Sequence, residues 1–206
     1  YCASGLEAIA IATAKIRTGM AECIVAGGTE SMSLVPTAGW KTVPSYSIAK
    51  DDPDYYLSMG LTAEAVAKEY KVSREDQDLF SYHSHQKAIT AIQNGYFKTG
   101  ILPVTVEDIY LDAKGKRQSK SYVMDTDEGP RKDTSVEVLS KLKPVFAAGG
   151  SVTAGNSSQT SDGAAFVIVM GENMVKELGL KPWARLVACA SAGVHPRIMG
   201  VGPIEA

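Results

Sequence analysis

Cys2, followed at once by Ala3-Ser4-Gly5-Leu6 and an Ala/Ile-rich run, is the residue of this chain best placed for chemistry. A thiol in the first turn of a helix meets unpaired backbone N–H groups and the positive end of the helix dipole, and both favour an anion there. That combination makes a nucleophile. A second motif, Gly27-Gly28-Thr29-Glu30-Ser31-Met32-Ser33, follows the short apolar run at 21–26. Glycines just past a strand end permit positive φ or a close backbone approach, where α/β folds place ligands. A third, Gly150-Ser151-Val152-Thr153-Ala154-Gly155-Asn156-Ser157-Ser158, leads through Asp162-Gly163-Ala164-Ala165 into the apolar run 166–170. For a lone cysteine a small buried hydrophobe is the better reading. The weight therefore rests on the three motifs together.

The elements that must position them follow from pattern. Leu6, Ala8, Ile9, Ala10, Ile11, Ala12, Ala14 and Ile16 predict a helix starting at Cys2 that is apolar almost all round and buried in a large protein, stopping at Gly19. Residues 21–26 then read as a buried strand. From about Leu34 the chain becomes polar and Pro-punctuated. Thr62 caps a helix over 63–70, and Ser73 with Asp76 opens a helix from about 74 to 93, ended by Gly95. Tyr55, Tyr56, Leu57 and Met59 form an apolar cluster without regular structure. Residues 164–170 read as a buried strand, 173–178 as a short helix stopped by Gly179, and 184–190 as another strand. Cys23 and Cys189 fall in these apolar runs and are expected to be buried and unreactive.

Composition narrows the classes. At 206 residues, 45% hydrophobic and 21% charged, the chain can bury a core of one or two domains. A net charge of -2 gives no basic footprint for nucleic acid or an anionic membrane. The apolar runs are far shorter than a membrane span. Three widely spaced cysteines lack the pairing of zinc sites or disulfide frameworks, which fits a reducing compartment and no bound metal. His83 and His85 lie two apart on the predicted long helix and point to different faces, so they do not serve one centre. His195, in Gly193-Val194-His195-Pro196, reads as a loop histidine. Gly200-Val201-Gly202 lacks the third glycine and preceding strand of a dinucleotide fingerprint and signals a turn. Asp112-Ala113-Lys114-Gly115-Lys116-Arg117 is a solvated turn.

The three motifs, with the terminal Met199-Gly200-Val201-Gly202-Pro203, closely resemble the thiolase family, in family order and over essentially the whole chain. The resemblance implies an α/β fold, the layered αβαβα thiolase arrangement, in partial form and with an inserted loop domain. It places 1–33 in the N-terminal thiolase domain, 34–160 in the coenzyme A-binding loop domain, 161–182 at the end of the N-terminal domain and 183–206 at the start of the C-terminal domain. Thiolases also carry an Asn-Glu-Ala-Phe segment, a Gly-His-Pro histidine and a second cysteine in a Gly-rich turn. None of these occurs here, so the chain reads as an internal piece of a longer protein, not folding on its own.

The activity implied is thiolytic cleavage of a 3-ketoacyl-CoA through an acyl-cysteine, with Cys2 as nucleophile. Alignment with the family's motifs assigns Arg131 to the adenine end of coenzyme A, Ser158 and the Ala154 carbonyl to the pantetheine amide, and Met59, Phe146 and Thr160 to the apolar tunnel. The alternative reading of Arg131 is a surface ion pair. Coenzyme A enters as substrate, with no permanently bound cofactor. The partners implied are acyl-CoA and further copies of the chain, as a homodimer or dimer of dimers. The implied location is the cytoplasm if bacterial, with an organelle targeting segment left open. Ser58, where short-chain thiolases often have histidine before Met-Gly, favours a degradative enzyme of broad chain length in fatty acid beta-oxidation. A biosynthetic acetoacetyl-CoA thiolase, a thiolase-like lipid or acyl-CoA carrier and a ketoacyl synthase are the alternatives.

Overall fold

A computed structural model describes residues 2–37 and 39–206. It is mixed α/β, and the chain divides into two compact units, residues 1–62 with 160–206, and residues 63–159.

In the first unit, α1 (Ser4–Arg17) leads into β1 (Cys23–Glu30), which pairs antiparallel with β4 (Gly163–Met170) along its whole length, Cys23 opposite Met170 and Glu30 opposite Gly163. α1 packs on both strands. Between β1 and the second unit lie α2 (Tyr46–Asp51) and a 3-10 turn over Pro53–Tyr56, tied together by the Ser45 N–H donating to the Tyr56 hydroxyl at 2.9 Å. The cluster at Tyr55 and Tyr56 is therefore regular where the sequence suggested none. After β4 come α6 (Glu172–Glu177), a 3-10 segment over Pro196–Val201 and α7 (Gly202–Glu205). Arg197 reaches Asp54 at 3.5 Å, joining the two 3-10 segments.

Several expectations for this unit change. β1 continues through Gly27 and Gly28, so these glycines sit inside a ladder and not past its end. Gly27 serves close approach, since a Cβ there would lie 2.7 Å from the Phe166 Cα. Residues 184–190 form no strand: no described segment pairs with them, and a strand needs a neighbour for its N–H and C=O groups. Nor are α1 and β4 buried. Leu6 is 70% exposed and Ile168 65%, and of α1 only Ala12 is buried. Among the described residues each strand pairs with one other and only α1 packs on the pair, so one edge of each strand and much of the sheet surface stay open.

α3 (Met59–Glu69) crosses the boundary between the units. Thr62 lies within it, its hydroxyl donating to the Met59 carbonyl at 2.8 Å, so it does not cap. In the second unit α4 spans Arg74–Gln93, as the sequence predicts. The Ser73 hydroxyl accepts from the Asp76 N–H at 3.0 Å and donates to its carboxylate at 2.7 Å. Gly95, at φ +71°, reverses the chain after α4, a conformation that L side chains rarely adopt. β2 (Val104–Leu111) and β3 (Arg117–Met124) form an antiparallel hairpin that pattern reading missed. The solvated turn is its tip, where Asp112 accepts from the Lys114 and Lys116 N–H groups. α5 (Val136–Ser140) packs on α4. The buried apolar residues here are Ile89, Leu139 and Val152.

Among the described residues no helix is long and apolar enough to cross a membrane.

Candidate functional site

Cys2 stands in the turn just ahead of α1, with Ala3 as the N-cap residue and Ser4 as the first helical residue. The sequence placed it in the first helical turn; it lies two residues earlier. Ala3 has no side-chain acceptor and makes no side-chain cap bond. The exposed thiol therefore stands next to the N-terminal end of α1. Such an end suits a developing anion. Cys23 and Cys189 are exposed as well, against expectation: one opens β1, the other lies in the unpaired 184–190 segment.

Two of the motifs meet in the first unit through Asp162. Its carboxylate accepts from the Ser33 N–H at 2.9 Å, from the Ser33 hydroxyl and from the Ser31 hydroxyl at 3.4 Å. The Thr29 hydroxyl donates to the Gly163 carbonyl at 3.2 Å. These bonds, the Ser33 hydroxyl foremost, hold the Asp162 carboxyl below the usual aspartate range. The loop after β1 and the approach to β4 are thus fixed as one piece. Met59, first residue of α3, is 57% exposed, and Thr160 is exposed in the same unit.

The second unit carries Arg131, Phe146, Ala154 and Ser158, all exposed. Arg131 pairs with Asp133 through two nitrogens, at 3.1 and 3.3 Å, and its N–H donates to His85 Nδ1 at 3.1 Å. The hydrogen bonds from Arg131 lower the Asp133 carboxyl. Phe146 lies in a loop closed by the Val145 N–H donating to the Val152 carbonyl at 3.1 Å. Ser158 donates only to the neighbouring Gln159 carbonyl, at 3.3 Å.

What pattern reading missed is the support beneath the 150–158 loop. Glu64 accepts from the Ser151 and Val152 N–H groups. Asn156 donates to Asp78, which is 1% exposed, and accepts from the Thr153 N–H at 2.8 Å. Asp78 in turn takes the Arg74 guanidinium at 2.7 Å, and Arg74 donates to the Leu139 and Leu142 carbonyls. The one sequence signal was the i, i+4 spacing of Arg74 and Asp78 at the start of α4.

The other histidines have local partners. His83 stacks obliquely on Tyr82, and the His195 ring caps the 3-10 segment by accepting from the Arg197 N–H at 3.3 Å. Among the described residues no cluster of His, Cys, Asp and Glu is arranged to hold a metal ion.

Residues 1–173 match the family described as thiolase, N-terminal domain. The chain is 49% identical over 206 residues to a 3-ketoacyl-CoA thiolase of Bacillus subtilis strain 168, covering 100% of this chain and 53% of that protein. It is 45% identical over 219 aligned residues to an acetyl-CoA acetyltransferase of Pseudomonas aeruginosa, again covering 100% and 53%. The crystal structure of the dimeric peroxisomal thiolase of Saccharomyces cerevisiae superposes with a TM-score of 0.83 at 36% identity, covering 98% of this chain and 50% of that one. The chain spans about half the length of the curated relatives it matches.

Proposed function

The chain belongs to the thiolase family, and from that membership we propose that it supplies the nucleophile and the coenzyme A contacts of a 3-ketoacyl-CoA thiolase. The observation that carries this is Cys2, exposed just ahead of α1 within the Cys-Ala-Ser-Gly-Leu motif.

The thiolate attacks the C3 carbonyl of a 3-ketoacyl-CoA, and N–H groups at a helix start are suited to the charge that develops on oxygen. Collapse of the adduct breaks the C2–C3 bond, leaving an acyl-cysteine and an acetyl-CoA enolate that takes up a proton. A second coenzyme A thiol, losing its proton, attacks the acyl-cysteine and releases an acyl-CoA two carbons shorter. One difficult carbon–carbon cleavage becomes two acyl transfers. The proton transfers need an acid and a base that Cys2 and the coenzyme A contacts do not provide.

The remaining assignments belong to the same proposal. Residues 34–160 form the inserted loop domain, with 1–33 and 161–182 in the N-terminal thiolase domain and 183–206 opening the C-terminal one. The unit boundary at 159/160 lies beside its exit point, whereas residues 34–62 cluster with the first unit, so the entry point at 34 rests on the family resemblance alone. Arg131 lies against the adenine end, Ser158 and Ala154 hold the pantetheine amide, and Met59, Phe146 and Thr160 line the acyl tunnel. Their exposure leaves them open to a ligand. Coenzyme A acts as substrate, and the assembly is a homodimer or dimer of dimers, in the cytoplasm if the source is bacterial; the yeast relative is dimeric. The degradative direction in beta-oxidation rests on Ser58 ahead of Met59-Gly60 and on the 3-ketoacyl-CoA thiolase at 49% identity.

The test is a thiolysis assay on the native protein with 3-ketoacyl-CoA substrates of increasing chain length. Coenzyme A-dependent release of acetyl-CoA is expected from medium and long chains as well as from acetoacetyl-CoA. Turnover of acetoacetyl-CoA alone would favour the biosynthetic alternative, and binding without turnover the carrier.

A further inference from the structure

The loop 150–158 contains no helix or strand, so its shape must come from side chains that take up its backbone groups. Glu64, in the second turn of α3, provides most of this at the loop's beginning. Its Oε1 accepts from the Ser151 N–H at 2.9 Å and the Val152 N–H at 2.8 Å, while Oε2 accepts from the Ser151 N–H at 3.0 Å and the Ser151 hydroxyl at 3.2 Å. Gln77 donates to the same hydroxyl at 3.0 Å. Gly150 leaves room for the carboxylate: a Cβ there would fall on Oε1 and 2.7 Å from the Glu64 Cδ. The loop's inner turn is then closed on itself. Thr153, fully buried, accepts from the Gly155 and Asn156 N–H groups, and Asn156 donates back to the Ser151 carbonyl at 3.1 Å. With Ser151, Val152, Thr153, Gly155 and Asn156 all drawn inward, Ala154 and Ser158 are left exposed.

We propose that Glu64 is a positioning residue for coenzyme A binding, holding the start of the 150–158 loop so that Ala154 and Ser158 face a pantetheine arm. The proposal rests on the reading that those two residues contact pantetheine. A carboxylate is required because three donors converge on two oxygens. A glutamine offers one oxygen and turns an NH2 toward N–H groups that must donate. Charge-assisted hydrogen bonds of this kind are worth roughly a tenfold change in binding or more when lost. Because Glu64 acts through the loop, its loss should weaken substrate and transition state alike, raising KM and sparing kcat.

The experiment compares Glu64→Gln, Ser158→Ala and the double variant in the native protein, by steady-state thiolysis over a range of coenzyme A concentrations and by thermal melting. Glu64→Gln is expected to raise KM for coenzyme A roughly tenfold with kcat nearly unchanged. The double variant should then fall short of the product of the single effects, since both act on one contact. Glu64→Asp should recover part of the loss. If Glu64→Gln lowers the melting temperature and leaves KM unchanged while Ser158→Ala raises it, the positioning role is overturned and the pantetheine contact stands. If Glu64→Gln raises KM and Ser158→Ala does not, the loop's role is supported and the Ser158 contact is withdrawn. Should Glu64→Gln fail to fold, Ser151→Ala removes the hydroxyl that donates to Glu64 and accepts from Gln77 while leaving the backbone donors in place. A KM increase of about twofold to fivefold then supports the proposal, and an unchanged KM overturns it.

Discussion

Arg131 shows how one residue can satisfy two readings at once. It is exposed, bonded to Asp133 through two nitrogens, and its backbone is held by His85. An exposed ion pair contributes little to stability and is screened by salt, so the pair is a weak reason for the arginine to be there. It does fix the guanidinium plane, which is what stacking on a purine requires. Arg131→Ala is therefore expected to raise KM for coenzyme A severalfold with kcat and melting temperature nearly unchanged. Steady-state kinetics at low salt checks this, and an unchanged KM would leave Arg131 as a surface charge. Of the candidate residues, Cys2 was legible from its motif, but its position was read two residues too deep into α1. The N-cap is Ala3, a poor capping residue, while the better capping residue Ser4 lies inside the helix, so cap preference does not mark that boundary.

Among the elements, those whose ends are set by local chemistry were legible. α4 begins where Ser73 and Asp76 exchange hydrogen bonds and is followed by Gly95 at positive φ, and α6 ends ahead of Gly179 in the same conformation. The hairpin β2–β3 was hidden because Glu107 and Asp108 interrupt its apolar alternation and both its faces are largely exposed. The support of the 150–158 loop was hidden for another reason: Glu64 and Asp78 lie 87 and 78 residues from their partners. Asp78→Ala would leave the Arg74 guanidinium and the Asn156 amide short of a buried acceptor. Its expected cost in unfolding free energy is on the order of 3 kcal/mol, measured by chemical denaturation. Asp162 makes a pH prediction for the loop after β1. Its carboxyl is lowered in the folded state, chiefly by the Ser33 hydroxyl, so the stabilisation is present above the ordinary aspartate pKa and lost as pH falls through the depressed value. Base-catalysed exchange must be corrected for. After that correction, protection of the Ser33 amide should decline from about pH 4 downward, and Asp162→Asn should abolish the decline. Protection that is independent of pH in both proteins would contradict it.

At the scale of the whole molecule the chain leaves unusual amounts of apolar surface open. Its accessible area is 16304 Å² at 21.9 kDa, whereas a folded monomer of that mass exposes about 9,300 Å², and two separate units of half the mass about 11,200 Å². The excess holds whichever way the units are arranged. Trp40, Trp183, Ile168 and Leu6 are all more than 60% exposed. β1 and β4 each have an unpaired edge, which invites aggregation. The sequence suggested buried strands because its apolar runs are what a larger assembly would cover; burial is a property of the assembly and not of the run. Expressed alone, residues 1–206 are expected to be insoluble or molten. Well-dispersed amide spectra with a cooperative melt would contradict that.

The central claim is that Cys2 is the acylated nucleophile. It is tested most directly by mixing the native protein with a 3-ketoacyl-CoA, quenching in acid before coenzyme A is added, and locating the acyl group by peptide mass spectrometry. Cys23 and Cys189 are also exposed and so serve as internal controls. The acyl group is expected on Cys2 alone, to be discharged on adding coenzyme A, and to be absent from Cys2→Ser. An acyl group found on Cys23 or Cys189, or retained in Cys2→Ser, would contradict the account.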